Sequence, residues 1–328
     1  MDNVTHTLAG ALLAECGLKK RAALAYPALL IGANLPDIDV LAYAFGGGLT
    51  ALGFRRGWTH GILAMAILPF LLAFFLIWWE SLRRRRADAR SLADRPRSDF
   101  GALVAVSAVA IISHPLLDLL NNYGVRLLMP FSGRWFYGDA VFIVDPWMLL
   151  LMIGGVWLTR RDRGYRRRER FGAARAALAL LVAYIGTMTW ITVSSEQALA
   201  RASGVRVPFG PRALMVSPEP VRMMSRNGLV DTGAEYESWR IEWSPFGSRL
   251  QRTGETVRKG TEDPRAVAAL ASPAGRRFMR WSRFPYAIAG VDGDPGLVHL
   301  GDTRYTDGSA PTWASVRVRV APPPPPQR

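Results

Sequence analysis

The segment "GILAMAILPFLLAFFLIWW" (61–79) carries no charged side chain over its 19 residues. In helical form, that length crosses the hydrocarbon core of a bilayer. Further apolar segments follow at 101–120, 141–158 and 171–193, and the last two each hold one charged residue near their start. The sequence therefore predicts a mainly α-helical protein built as a polytopic membrane bundle.

Two N-terminal segments are apolar but less regular. "VTHTLAGALLAECGL" (4–18) is short, and "AALAYPALLIGANLPDIDVLAYAF" (22–45) is long but interrupted by acidic residues. A cleavable signal peptide is the alternative for the first segment, but no basic stretch precedes it and no clean small-residue cleavage site follows. We expect a short retained helix, and the sequence leaves open whether it crosses the membrane.

The net charge of +15 is concentrated in two arginine-rich stretches. Seven arginines lie in "RRRRADARSLADRPR" (83–97) and seven in "RRDRGYRRRER" (160–170), each between apolar segments. A nucleic-acid patch is the alternative, but the two stretches hold a single aromatic residue, Tyr165, and adjoin membrane segments. The positive-inside rule favours cytoplasmic loops. We predict a multi-pass protein of the inner (plasma) membrane with no nucleic-acid partner.

This topology brings the polar residues of the membrane segments to one face. With both basic stretches in the cytoplasm, segment 61–79 runs inward, 101–120 outward and 141–158 inward. His6 joins that face if the first helix crosses inward. Ionisable residues at the edge of apolar segments are costly, so each needs a partner or a cavity. The residues expected at the outer face are His6, Asp37, Asp39, His60, His114, Asp118, Asp139 and Asp145.

His114 and Asp118 lie four residues apart in "SHPLLDLLNNYG" (113–124). On a helix, residues i and i+4 face the same side one turn apart, so an imidazole and a carboxylate can reach one metal ion. The chain has only one cysteine, Cys16, which also excludes an intramolecular disulfide. A divalent transition metal then takes His and Asp ligands, so we predict a site for one or two ions, with zinc favoured.

Each candidate ligand also has a structural interpretation. Asp145 and Asp139 would cap helices, Asp37 would begin a helical turn, and a lone His6 is more often a core residue than a ligand. Three histidines and at least three aspartates at one face nevertheless favour a shared site. If His6 belongs to it, its imidazole should lie within about 12 Å of that of His114, since paired metals are about 4 Å apart.

The motifs also resemble a known family. "THTLAG", "NLPDID", "RRGWTHG", "SHPLLDLLNNYG" and "FYGDAVFIVDP" resemble the YdjM-like, LexA-regulated membrane-bound metal-dependent hydrolases, over about residues 1–160. That family is more remotely similar to bacterial zinc-dependent phospholipase C, a helical enzyme that binds a zinc cluster. The resemblance implies metal-dependent hydrolysis, but later His and Glu ligands of the soluble enzymes have no match here. The metal ligands that it implies are His6, Asp37, His60, His114 and Asp118.

Neighbouring polar residues have roles consistent with hydrolysis. Asp39 or Asp139, as catalytic residues, would act as general base or as the outer-sphere partner of a ligating histidine. Asn121 and Asn122 would donate hydrogen bonds to substrate or, as we favour, end the helix. Four arginines would contact phosphate or pair with the aspartates of the site. These are Arg55, Arg56, Arg126 and Arg134.

Hydrolysis of a phosphodiester or lipid substrate at the outer face, with membrane lipids as partners, is the function that these patterns favour. The alternatives are a membrane transporter and a metal-binding stress-response protein without hydrolase activity. A transporter needs polar residues near the middle of several spans, whereas these cluster at one end. The sequence contains no Gly-rich phosphate loop, no G-x-S-x-G motif and no Cys-x-x-Cys pair.

The C-terminal part of the chain changes character after the membrane domain, 1–194. "YESWRIEWSPFG", "LVHLGDTRYT" and "WASVRVRVA" alternate as strands do, and 260–284 includes an amphipathic helix. We predict a small β-rich extracytoplasmic domain over 195–320, in which His299 is structural. The end, 321–328, reads as a disordered polyproline tail.

The arginine distribution generates a topology prediction. Reporters fused after residue 90 or 165 should report the cytoplasm, and one fused after residue 200 the opposite side, because both arginine-rich stretches should be retained inside. Alkaline phosphatase and fluorescent-protein fusions measure the two locations. A cytoplasmic signal at residue 200 would overturn the shared outer face.

Overall fold

The computed structural model describes residues 1–86, 97–166, 171–205, 214–306 and 313–321. Parts of both arginine-rich stretches, 87–96 and 167–170, and most of the polyproline tail, 322–328, lie outside the described residues. The chain divides into two compact units, each made of two segments. These are Met1–Asp39 with Arg55–Trp190, and Val40–Phe54 with Ile191–Arg328.

The apolar segments of the sequence form long helices. Short 3₁₀ turns at Leu18–Lys20 and Leu35–Leu41 interrupt the N-terminal part. The first segment is the short helix that the sequence predicts. In chain order the helices are α1 (Asn3–Glu15), α2 (Ala25–Gly32), α3 (Ala42–Phe54), α4 (Ile62–Arg86), α5 (Phe100–Leu119), α6 (Pro146–Arg166) and α7 (Gly172–Ser203).

Three of these helices are long and apolar enough to cross a membrane. They are Ile62–Arg85 within α4, Phe100–Leu119 as α5, and Gly172–Ser203 as α7. α2 and the following segment, Leu35–Phe45, form a pair bent by 43° that would make a fourth, broken span. The predicted helical membrane bundle is therefore confirmed.

The start of α6 corrects one boundary. The sequence predicts a membrane segment at 141–158, but the helix begins only at Pro146 because Asp145 caps it. Among the described residues, α6 is also not one of the helices that are long and apolar enough to cross a membrane. Asp145 Oδ1 accepts hydrogen bonds from the backbone N–H groups of Trp147 (3.1 Å) and Met148 (3.0 Å). The Tyr184 hydroxyl donates to the other carboxylate oxygen at 2.9 Å. Asp145 is thus a helix cap tied to α7, as its structural interpretation anticipates.

The core of the first unit lies between α1, α2, α4 and α5. Small residues predominate on α1 and α2, so the helices can pack closely. Outward-facing residues such as Phe70 and Phe74 on α4 are more than half exposed, which suits contact with lipid. The buried core residues are Ala14, Ala25, Ala28, Leu29, Ala33, Leu72, Ala73, Leu76, Leu103, Val106, Ala110 and Ile111.

The C-terminal part of the second unit contains two antiparallel sheets, which confirms the predicted β-rich region. The first has the order β1-β2-β3-β4 and the second β5-β6-β7. Apolar side chains of β1, β2 and β3 pack with Leu199 of α7 and form a core on the first sheet. The strands are β1 (Leu214–Pro218), β2 (Ser225–Asp231), β3 (Glu235–Ser244), β4 (Gly247–Arg258), β5 (Pro285–Ala289), β6 (Leu297–Asp302) and β7 (Ser315–Arg319).

The predicted amphipathic helix within 260–284 is two short helices, α8 (Pro264–Ala271) and α9 (Pro273–Met279). Asp263 and Ser272 each accept a hydrogen bond from a backbone N–H of the following turn, and a proline follows each cap. Because Ser272 has an extended backbone, it ends the first helix and begins the second.

A buried ion pair fixes the end of β6. Asp302 accepts hydrogen bonds from the Ser282 hydroxyl (2.6 Å), the Arg283 N–H (2.7 Å) and Arg304 Nε (2.9 Å). Burial by itself raises the pKa of a carboxyl, but the Arg304 guanidinium and the other donors outweigh it and hold the pKa of Asp302 below its usual value. The pair therefore stabilises the fold above the unfolded pKa, about 3.9, and this stabilisation is lost as the pH falls through the folded pKa.

Removing this charge should destabilise the second unit. Asp302→Asn leaves the buried Arg304 without its counter-charge, which costs about 3–5 kcal/mol. Hydrogen–deuterium exchange of the β6 amides should accelerate at least about 100-fold. The wild type should also lose protection below about pH 4, and the variant should lack that step. Glu237→Gln, which breaks a largely exposed pair with Arg252, is the control and should cost less than about 1 kcal/mol. Equal effects of the two changes would contradict the assignment.

Candidate metal centre

Four buried side chains of the first unit, Asp37, His60, His114 and Asp118, each bring one ligand atom to within 4.8 Å of the others. Asp37 lies in the 3₁₀ turn Leu35–Leu41, and His60 lies just before α4. His114 and Asp118 are one turn apart near the end of α5. Helix ends and turns thus carry all four residues, while the packed helices hold them in place.

The spacing of the ligand atoms fits one small cation. His60 Nε2 lies 3.1 Å from His114 Nε2 and 3.3 Å from Asp118 Oδ2. Asp37 Oδ1 lies 3.9 Å from His60 Nε2 and 3.7 Å from His114 Nε2. Ligand atoms around a tetrahedral zinc ion, with bonds of about 2.0–2.1 Å, are about 3.3 Å apart. The donor set and its spacing therefore suit a four-coordinate divalent metal.

The orientation of His114 is fixed by the end of α2. His114 Nδ1 lies 2.6 Å from the Ala33 carbonyl oxygen, which can only accept, so Nδ1 carries the proton. Nε2 then presents its lone pair to the other three ligand atoms. The approach of α2 to α5 requires a small residue, because a Cβ at Gly32 would lie 2.9 Å from the Cβ of Ala110.

His60 is oriented through Thr59 and Asp39. The Thr59 hydroxyl donates to Asp39 Oδ2 at 3.1 Å and lies 3.0 Å from His60 Nδ1. Because the hydroxyl proton is used toward Asp39, its oxygen accepts from His60 Nδ1–H, which again leaves Nε2 as the ligand atom. Asp39 Oδ2 also accepts the backbone N–H of Arg56 at 2.7 Å. Of the two roles predicted for Asp39, this geometry favours the outer-sphere partner.

His6 adjoins the four-residue cluster. Its ring stacks on that of His114 with centroids 3.7 Å apart, well inside the expected limit, and its Nε2 lies 3.4 Å from Asp118 Oδ1. Asp2 starts α1 by accepting N–H bonds from Val4 and Thr5, a cap that our sequence analysis missed. Among the described residues, neither ring nitrogen of His6 has a hydrogen-bond partner although both are buried. Such an unpaired imidazole is available as a ligand.

Positive groups surround the aspartates. Arg56 Nε lies 3.2 Å from Asp118 Oδ2, and Arg55 lies 3.5 Å from Asp39 Oδ1 and 3.9 Å from Asp37 Oδ1. The amino group of Met1 also contacts Asp118. Arg55 and Arg56 thus pair with the aspartates of the site, which is one of the two roles considered for these arginines.

The remaining predicted residues line the loop after α5. Asp139 is buried with a left-handed backbone (φ 50°), outside the four-residue cluster. Asn121 Oδ1 accepts the Tyr123 N–H at 2.8 Å and so shapes the turn that follows the helix. Arg126 donates to the Arg55 carbonyl, and Arg134 lies over an aromatic ring. A catalytic role for Asp139 remains a prediction.

Burial keeps two of the histidines neutral. It lowers the pKa of His60 and of His6 well below the usual value, and the neighbouring His114 lowers both further. A neutral imidazole is the form that ligates a metal. The direction of both pKa shifts therefore favours the form of His60 and His6 that binds a cation.

The comparisons with known proteins cover the same part of the chain. The profile of the family described as YdjM inner membrane protein matches residues 1–196, which include the whole cluster. The Bacillus subtilis protein named "Uncharacterized protein YfhP" is 24% identical over 168 residues, 48% of this chain and 45% of that protein. This chain therefore aligns with less than half of that relative's length. No solved structure matches, so similarity to zinc-dependent phospholipase C stays a prediction.

The geometry generates a prediction for the His114–Asp118 pair. His114→Ala and Asp118→Ala should each weaken metal binding by more than the 10- to 100-fold typical of losing an outer-sphere partner. The double variant should lose little more, because residues that act as a unit are not additive. Metal content of the purified protein, measured by mass spectrometry, checks both points.

His299 provides the matched control. It is buried in β6 of the second unit, with its Nε2 3.3 Å from the Tyr286 hydroxyl. His299→Ala should therefore leave metal content unchanged. Metal content that stays at the wild-type level in the His114 and Asp118 variants would assign a packing role to these two residues. An equal fall in metal content in the His299 variant would do the same.

Proposed function

Since the chain belongs to the YdjM inner membrane protein family, and four buried His and Asp side chains converge within the matched region, we propose that it is a membrane-bound metal-dependent hydrolase. The observation that carries the proposal is the convergence of four buried ligand atoms, all within 4.8 Å of one another, from three separate parts of the chain. Mixed His and Asp ligation is typical of hydrolytic metal sites.

The donor set supports zinc as the proposed metal. Two imidazole nitrogens and two carboxylate oxygens suit a borderline cation better than calcium or magnesium, which take oxygen ligands. The residues that would hold a second ion are His6 and Asp118, whose Nε2 and Oδ1 atoms lie 3.4 Å apart. Both Asp118 oxygens are buried, and Arg56 Nε and the Met1 amino group approach them, so this carboxylate already attracts positive groups, which supports a cation at the same place.

The chain's own residues would position the reaction. A bound divalent ion supplies a water of lowered pKa and a Lewis acid for a phosphoryl or acyl oxygen. Asp39, acting through Thr59, keeps the lone pair of His60 directed at the site, and the Ala33 carbonyl does the same for His114. Arg55 and Arg56 hold the aspartates and carry guanidinium groups that suit phosphate oxygens.

The proposed substrate is a phosphodiester or a lipid at the outer face of the membrane. The arginine distribution supports the outer face, because it favours a cytoplasmic location for the basic loops and the cluster lies at the other end of the helices. The transporter and the metal-binding stress-response protein are the competing functions, and the same experiment separates them from a hydrolase.

Metal analysis followed by a substrate screen tests the proposal. The purified chain should contain about one or two zinc ions and hydrolyse phospholipids or a chromogenic phosphodiester. A strong chelator should remove both metal and activity, and added zinc should restore them. The Asp118→Ala variant should lose at least about 100-fold in kcat/KM, because a lost ligand removes the ion as well as its water.

The outcomes discriminate between the functions. Metal bound stoichiometrically without turnover of any lipid or phosphodiester would favour a carrier or a transporter, whose test is metal flux in proteoliposomes. Activity that persists in Asp118→Ala would contradict the proposed site, and absence of bound metal would contradict the whole proposal.

A further inference from the structure

A second polar site lies at the opposite end of α4 and α5. A cavity of about 390 Å³ is lined there by Glu80, Ser81, Arg84, Arg85, Arg97 and Ser98. This volume falls in the range of small-molecule sites. About 33 Å of helix separates Ile62, next to the His/Asp cluster, from Arg84, so the two sites are independent.

Glu80 holds this arginine pocket together. Arg84 Nε and Nη2 donate to Glu80 Oε1 at 3.0 and 2.7 Å. The other carboxylate oxygen of Glu80 accepts the backbone N–H of Ser98 at 3.2 Å. One side chain thus ties the end of α4 to the residue before the cap of α5, which fixes the two walls of the cavity relative to each other.

Counted over the described residues that line it, the pocket has an excess of positive charge. Glu80 compensates Arg84, whereas no carboxylate of the described residues lies within ion-pair distance of Arg85 or Arg97. Both are exposed at the cavity, with the hydroxyls of Ser81 and Ser98 beside them. The Ser81 hydroxyl donates to the Trp78 carbonyl at 2.7 Å, so the two guanidinium groups are the donors that suit a phosphate group.

Aromatic residues place this pocket at the boundary of the membrane. Trp78 and Trp79 precede it on α4, Phe100 follows it on α5, and all three are partly exposed. Tryptophan is enriched at membrane–water interfaces. Phe74, one turn earlier than Trp78, is 66% exposed and continues the apolar surface toward the middle of the span.

From these contacts we propose that the arginine pocket binds the phosphate of an anionic phospholipid, with its acyl chains along the aromatic surface of α4. A basic pocket between membrane helices is suited to anionic headgroups, and each arginine near the surface strengthens the attraction. The lipid here is a bound ligand rather than a substrate, because the pocket lies at the other end of the helices from the proposed metal centre.

Lipid retention by the full chain tests this assignment. The protein is reconstituted in nanodiscs that contain phosphatidylglycerol or phosphatidylcholine, released into detergent, and examined by native mass spectrometry for bound lipid. The double variant Arg85→Gln/Arg97→Gln should bind phosphatidylglycerol about 30-fold more weakly than the wild type. Phosphatidylcholine should be retained weakly by both proteins.

Arg83→Gln is the matched control. Arg83 is the residue before Arg84 on the same helix and stacks over Trp79 at 4.5 Å, outside the cavity. It removes one positive charge from the same membrane surface and should leave lipid retention close to that of wild type. Unchanged metal content in all variants shows that the helices still pack.

Three results would overturn the proposal. Equal retention of phosphatidylglycerol by the double variant would exclude the pocket. Weakening of about fivefold by Arg83→Gln, the share expected for one charge of the surface, would show that surface charge in general, and not this pocket, attracts the lipid. Displacement of the bound lipid by inorganic phosphate alone would assign the site to a soluble phosphate ligand instead.

Discussion

The contact between His114 Nδ1 and the Ala33 carbonyl, 2.6 Å, is the interaction on which the candidate site depends. It satisfies a backbone carbonyl at the end of α2 and at the same time sets the tautomer of His114. Because α2 packs on α5 through Gly32 and Ala110, the contact cannot form unless the helices are in register. The position of the metal ligands is therefore a consequence of how the membrane helices pack.

Much of the fold follows from local sequence patterns. The uncharged run at 61–79 and the segment at 101–120 predict α4 and α5 to within a residue at their starts, since a bilayer permits few alternatives to an apolar helix. The predicted start of α6 at residue 141 was wrong, because the apolar stretch 141–144 precedes the helix cap and the helix begins at Pro146. Strand β4, "GSRLQRTGETVR", lacks apolar alternation because most of its side chains are exposed, so periodicity alone could not predict it.

The site was predictable as a set of residue types but not as a geometry. The i,i+4 spacing of His114 and Asp118 is local and follows from helix geometry. The stacking of His6 on His114 joins residues 108 positions apart in sequence and depends on the close approach of α1 to α2, where a Cβ at Gly10 would lie 2.6 Å from the Leu29 carbonyl. The role of Thr59 was not predicted, because a hydroxyl beside a histidine gives no signal until its partner Asp39 is located.

The charges around the cluster are compatible with both the proposed cation and the proposed anionic substrate. Three carboxylates, Asp37, Asp39 and Asp118, face two guanidinium groups, so one negative charge is uncompensated among the side chains. Burial lowers the pKa of the Met1 amino group well below its usual value, which weakens its contribution as a third positive group beside Asp118. An uncompensated buried charge is costly, and a divalent cation would offset it and reverse the sign of the site. The site would then attract a phosphate-bearing substrate, whose oxygens Arg55 and Arg56 could share with the metal.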